Sequence, residues 1–361
     1  MRPPGRLLAI ACLLLAMASL AALGCRYRGE GGVSAAELSG PIPWPEGFDP
    51  REYFAPVPVD EGPEEFREGR GGGRREQELR FPGYRARYTV SAGAQRDAPV
   101  PAAVILPISK GDSQAGAVAD FLVAHGFACL RMITPREILA VGGETDAVDE
   151  FRSRFRTYVA AVLAGVEWLA ARPEVDPERL GLVGISFGAI AGVVVSGAEP
   201  RIRAAALLLG GGDLAGIFLS SEERLVLRLR ERMAESEGTS GPELERCLRE
   251  ALLPLEPLLY APRLDPERVL LVNAAFDRVI PRRHTLALWV ALGRPRLYLV
   301  PAGHYSAIAF LPYANRLTLL HLQRSLAPFG AVTRERSARP SWVGAAWRDP
   351  RSSPRSGHRF W

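Results

Sequence analysis

The chain has 361 residues, 47% hydrophobic and 24% charged, which suits one large domain with a sizeable core. The formal net charge of +5 is carried almost wholly by arginine dispersed along the sequence, Lys110 being the only lysine. No basic stripe falls within the folded region, which argues against a nucleic-acid surface. Four cysteines without repeated spacing give neither a disulfide framework nor a zinc site.

At the start, Arg2 and Arg6 precede an uncharged apolar run, Leu7 to Leu23, and then Gly24-Cys25 and polar sequence. Residues 1–24 have the pattern of a secretory signal. A cysteine after a small residue resembles a bacterial lipoprotein signal, which implies acylation of Cys25 and attachment to a membrane. Ala22 and Leu23 depart from the residues that family favours before its cysteine. An uncleaved anchor and ordinary secretion are the alternatives. The protein is expected to be exported, either anchored on the periplasmic or outer face or secreted.

Residues 25–76 are rich in Gly, Pro, Glu and Arg and read as a flexible linker, because so charged a stretch buries little apolar area against its chain entropy. The patch Trp44–Phe54 is able to dock on the domain. The folded domain is expected over 77–330. Leu79–Phe81 and Tyr84–Ser91 read as strands around Pro82-Gly83. The continuous apolar run Ala102–Leu106 reads as a strand buried on both faces. A helix over Ala115–His125 and a strand over Phe127–Met132 follow. In Phe151–Ala171, Phe155, Val159, Val162, Val166 and Leu169 recur at helical spacing. Leu180–Gly184 and Ala204–Leu209 read as strands flanking a helix at Phe187–Ser196.

Residues 214–262 break the alternation with charged helical sequence and no strand, and are expected to form an inserted helical cap. Its Leu214, Ile217, Phe218, Leu225, Leu227, Leu252, Leu255, Leu258 and Leu259 either line a pocket mouth or pack the cap onto the domain. Strands at Val269–Asn273 and Arg296–Val300 then alternate with helices at Arg283–Leu292 and Leu311–Ser325. This order predicts an α/β fold with a mostly parallel sheet covered on both faces. The tail 331–361, rich in Arg, Ser and Pro, is expected to be disordered.

Gly184-Ile-Ser-Phe-Gly188 follows an apolar strand and opens a helix, the context in which Gly-x-Ser-x-Gly carries meaning. A tight strand-to-helix turn lifts the Ser186 hydroxyl above the sheet edge and leaves backbone N–H groups near developing negative charge. Together with Val166-Glu-Trp-Leu-Ala170 and Pro173-Glu-Val-Asp-Pro-Glu-Arg-Leu180, the motif resembles the α/β-hydrolase superfamily. The resemblance covers about residues 95–326 and is nearest to the dienelactone hydrolase and acetyl-esterase-like branches. Ala189 stands where those branches often have a second glycine.

A serine hydroxyl needs a base, and the base an orienting acid. The resemblance implies the order Ser, acid, His. It places the base at His304, in Pro301-Ala-Gly-His304 after a strand, and the acid at Asp277, in Asp277-Arg-Val-Ile-Pro281. Asp213, after the preceding strand and three glycines, is the runner-up. His125, His284 and His321 fall in or at the end of helices and are read as structural; His358 lies in the tail. The resemblance implies an oxyanion hole from the Phe187 N–H and a donor at Ile108 or Ser109, although Pro107-Ile-Ser-Lys-Gly111 lacks the His-Gly pair of many relatives. Lys110 is a possible contact for a substrate carboxylate or phosphate.

The expected activity is that of a serine hydrolase cleaving a small-molecule carboxylic ester through an acyl-enzyme. No cofactor and no metal are implied. A peptidase or acyltransferase of the same fold is the chemical alternative, and a non-catalytic envelope binding protein the alternative from another class.

Overall fold

The computed structural model describes residues 42–69, 72–109, 111–133, 138–139 and 146–328. The signal segment 1–24, Cys25, Lys110 and the tail 331–361 lie outside these described residues.

The apolar runs form the centre of a nine-stranded sheet. In chain order its strands are β1 (Asp60–Gly69), β2 (Gly72–Phe81), β3 (Tyr84–Ser91), β4 (Val100–Leu106), β5 (Ala128–Ile133), β6 (Val175–Ile185), β7 (Ile202–Leu208), β8 (Val269–Ala274) and β9 (Arg296–Val300). Their spatial order is β1-β2-β3-β5-β4-β6-β7-β8-β9. Pairings from β1 to β5 are antiparallel. From β5 through β9 every pairing is parallel.

Two cores explain why the central strands are apolar throughout. Ala102, Val104 and Leu106 of β4 join the core beneath the long helices α3 (Ala147–Ala170) and α4 (Phe187–Ala198). The alternate residues Ala103 and Ile105 join a second core on the other face, beneath α2 (Ser113–Val123) and α10 (Leu311–Ser325). With side chains pointing alternately to the two faces, a strand covered on both sides has no polar face to show. Asp146 caps α3 by accepting from the N–H groups of Val148 and Asp149.

The expectation of a linker through residue 76 is corrected. A four-residue helix α1 (Pro50–Tyr53) and the hairpin β1–β2 occupy this stretch. Its backbone pairs from Asp60↔Arg80 to Gly69↔Gly72, so the sheet edge is built from nearly pure charge. Like charges face each other at Arg67↔Arg74 and Glu65↔Glu76, and opposite charges meet on the diagonals: Arg67 lies 3.3 Å from Glu76, and Arg75 lies 3.2 Å from Glu64. Backbone hydrogen bonds and cross-strand pairs hold a strand that buries little. Its charge also discourages pairing with another chain. Upstream, Trp44 stacks edge-on against Tyr260 and carries Arg263 over its ring, while Phe54 is buried against the domain.

The segment between β7 and β8 holds α5 (Leu214–Ser220), α6 (Arg224–Glu237), α7 (Gly241–Leu252), α8 (Pro257–Tyr260) and short 3₁₀ turns. The buried Glu256 ties its two ends together, its carboxylate accepting from the N–H groups of Asp213, Leu214 and Leu258. Burial nonetheless raises its pKa. Helix α9 (Arg282–Ala291) links β8 to β9.

His321 on α10 is buried, its Nε2 3.1 Å from the Arg268 carbonyl. Burial disfavours the imidazolium and lowers its pKa from 6.5 to about 4. The unfolded chain therefore binds the proton first, and stability is lost as pH falls from about 6.5 towards 4. Urea titrations across that range are expected to show a loss approaching ~3 kcal/mol from this group, with a shallower slope in His321→Gln.

Candidate active site

Because β4 to β9 are parallel apart from their neighbours at the antiparallel edge, the loops leaving β4, β6, β8 and β9 emerge at one rim. Ile108 and Ser109 follow β4, Ser186 follows β6, Asp277 follows β8 and His304 follows β9.

Ser186 sits between strand and helix with φ +54°, a conformation L-residues rarely adopt. Its backbone is over-determined by neighbours. The Ser186 N–H bonds to the Leu208 carbonyl of β7 at 2.8 Å, and Ala189 and Ile190 donate back to the Ser186 carbonyl. Strain of this kind costs about 1–3 kcal/mol and persists where surrounding structure enforces it. Both motif glycines are required by backbone contact. A Cβ at Gly184 would lie 2.3 Å from the Gly188 carbonyl oxygen, and one at Gly188 would lie 2.2 Å from that of Leu106. The second approach brings the end of β4, and hence Ile108 and Ser109, against the first turn of α4. Ala189 is accommodated by a glycine elsewhere: its methyl lies 2.8 Å from where a Cβ of Gly210 would stand.

The three distant residues meet. Ser186 Oγ is 2.8 Å from His304 Nε2, and His304 Nδ1 is 2.7 Å from Asp277 Oδ2. The other oxygen, Asp277 Oδ1, accepts from the N–H groups of Val279 and Ile280 at 2.8 and 2.9 Å. These bonds fix the orientation of the Asp277 side chain. The His304 loop lies against the Asp277 loop because β8 and β9 are adjacent, with Ala275 and Phe276 donating to the carbonyls of Val300 and Ala302. Phe187 opens α4, where its N–H has no partner within the helix. Its ring packs on Phe155 and Tyr158.

Ser186 faces two cavities. The larger, about 280 Å³, also holds His304 and is walled by aliphatic side chains from strand ends and α10, among them Ile185, Leu208, Val272 and Leu311. The smaller, about 60 Å³, lies towards Phe187, Ile190 and Phe218. Ser109, Glu223 and Val279 border both. Of the nine apolar insertion residues, only Leu225 lines the larger cavity, and Leu214, Ile217 and Phe218 line the smaller. Leu252, Leu255, Leu258 and Leu259 are buried in the core.

No family model matches the sequence, and no curated protein does. Solved structures do. Acetyl xylan esterase 1 from a Thermoanaerobacterium species superposes with a TM-score of 0.62 at 17% identity, over 81% of this chain and 99% of that one. An acetyl xylan esterase from a Paenibacillus species gives 0.61 at 13%, over 76% and 92%. A CE15 glucuronoyl esterase from Teredinibacter turnerae gives 0.53 at 13%, over 76% and 80%. The fold is that of the α/β-hydrolases. At these identities the likeness is one of architecture.

This α/β-hydrolase fold contains a second Ser–His–Asp grouping. Asp213, the runner-up acid, lies 3.3 Å from His284 Nδ1, and His284 Nε2 lies 2.9 Å from Ser220 Oγ. Ser220 donates its hydroxyl to the Gly216 carbonyl at 2.7 Å, and neither it nor His284 borders either cavity described above. Asp213 also accepts from Gly216 N–H and Arg249. Burial alone would raise its pKa, but His284 and Arg249 outweigh it and hold the carboxyl below its usual range. The grouping anchors the insertion to α9.

Two residues at the cavity were not anticipated. The Tyr305 hydroxyl donates to the Glu223 carboxylate, joining the His304 loop to the start of α6. Partial desolvation of this largely exposed side chain, together with the bond to Glu223, pushes the Tyr305 pKa up to about 12. Tyr305 had a signal in its adjacency to His304; Glu223 had none among so many glutamates. Lys110 is outside the described residues, so its role stays an expectation. Gly188→Ala is expected to lower stability by roughly 1–3 kcal/mol or more in urea unfolding, since the carbonyl it meets belongs to a central strand end.

Proposed function

We propose that the protein is a serine hydrolase of carboxylic esters. The observation that carries this reading is the hydrogen-bonded line from Ser186 through His304 to Asp277 at the wall of an apolar cavity. Ser186 Oγ attacks the ester carbonyl carbon while His304 Nε2 takes its proton. Asp277 holds Nδ1–H and stabilises the imidazolium. The tetrahedral oxyanion is met by the Phe187 N–H and by a second backbone donor at Ile108 or Ser109, within the loop that Gly188 draws close. The C–O bond to the alcohol breaks as His304 returns the proton to it. Water, activated by the same imidazole, then cleaves the acyl-enzyme. The solved structures named above are called esterases, which supports ester hydrolysis.

The pattern in residues 1–25 supports export, and Cys25 supports lipid attachment to a membrane. A single acyl chain gives only marginal membrane binding, so stable attachment would require more than one.

Hydrolysis of p-nitrophenyl acetate is the direct assay. Ser186→Ala is expected to abolish it, and Asp277→Asn to lower kcat by roughly 10³–10⁴ while Asp213→Asn leaves more than a tenth of it. Equal losses in the two aspartate variants, both folded, would contradict the assignment of the acid.

A further inference from the structure

Resting on the hydrolase reading, we infer that the substrates are esters of a short acyl group with a bulky apolar alcohol. The two cavities meet at Ser186, so the scissile bond lies between them. Their occupants are distinguished by His304. In acylation the imidazolium must hand its proton to the departing alkoxide, so the alcohol oxygen has to sit within hydrogen-bond reach of Nε2. His304 borders the larger cavity and does not border the smaller. The alcohol therefore extends into the larger space. The acyl group, attached to Ser186 and turned away from the imidazole, is left with the smaller one.

Size sets the limits on each part. A cavity of about 150 Å³ accommodates benzene. The space on the acyl side, about 60 Å³, is well below that and suits acetyl to butyryl groups. Phe218, held edge-on at 5.0 Å by Phe151, and Ile190 close it. The space on the alcohol side, about 280 Å³, is nearly twice the benzene figure. Aliphatic walls such as Ile185, Leu208 and Val272 offer no hydrogen bond, and beside the polar border of Ser109, Gln114 and Tyr305 they favour an alcohol that is apolar over most of its length. Glu223, already bonded to Tyr305, is the acidic side chain bordering this space among the described residues and disfavours an anionic alcohol.

Isomeric esters with the two halves exchanged test this without changing composition. Octyl acetate and ethyl octanoate share one formula, as do 2-phenylethyl acetate and ethyl phenylacetate, and none has an activated leaving group. In each pair kcat/KM is expected to favour the acetate by at least about tenfold. Lengthening the alcohol from ethyl towards octyl acetate should raise kcat/KM by roughly fourfold per buried methylene at first, the worth of about 0.8 kcal/mol each. In Phe218→Ala the preference within each pair should narrow at least threefold through faster turnover of the longer acyl group. A ratio of one or less in the unaltered protein, with p-nitrophenyl acetate hydrolysis intact and dependent on Ser186, would overturn the substrate assignment alone. Absence of all ester hydrolysis by folded protein would overturn the hydrolase reading beneath it.

Discussion

The close passage of the first turn of α4 beside the end of β4 controls the geometry of the site. At Gly188 the helix backbone comes so near Leu106 and Pro107 that no side chain fits between them. The same contact turns Ser186 into its left-handed conformation above the sheet and draws the loop of Ile108 and Ser109 over it. Gly184 allows the turn to close on itself. Two absent methyl groups thus bring a hydroxyl and candidate oxyanion donors to one place, at a cost in strain that the Ser186–Leu208 backbone bond and the buried helix offset.

Parallel pairing supplies the rest. Strands β8 and β9 run side by side, so their carboxyl-end loops are neighbours and the sequence separation of 27 between Asp277 and His304 costs nothing in reach. The insertion between β7 and β8 is fastened at its root by Glu256 and by the Asp213–His284–Arg249 cluster. Its apolar residues mostly build core; a few close the smaller cavity, and the larger one is walled chiefly by strand ends and the segment from His304 to Ala314. The size asymmetry around Ser186 therefore follows from which element stands on each side of it.

Much of this was legible in the residues. Runs such as Ala102–Leu106 had no polar face to expose, which pointed to a doubly covered parallel strand, and Gly184-Ile-Ser-Phe-Gly188 marked the strand-to-helix turn. The choice of Asp277 over Asp213 came from resemblance; Asp277 lies beside His304 and Asp213 beside His284, which supports that choice as a proposal. The hairpin of β1 and β2 was not legible. Strand signals rest on alternating apolar residues, and here the pairing is held by backbone bonds and by Arg67–Glu76 and Arg75–Glu64 contacts that only register reveals. Nor was the division of the insertion's leucines between cavity and core, because helical periodicity marks a buried side without saying what buries it.

The proposed chemistry requires the hydroxyl of Ser186 to be an activated nucleophile. The most direct measurement is reaction of the folded protein with a fluorophosphonate, followed by peptide mass spectrometry to locate the adduct. Stoichiometric phosphonylation is expected on the peptide containing Ser186, slowed by orders of magnitude in His304→Ala. Folded protein that stays unmodified, or an adduct found on Ser220 instead, would contradict it.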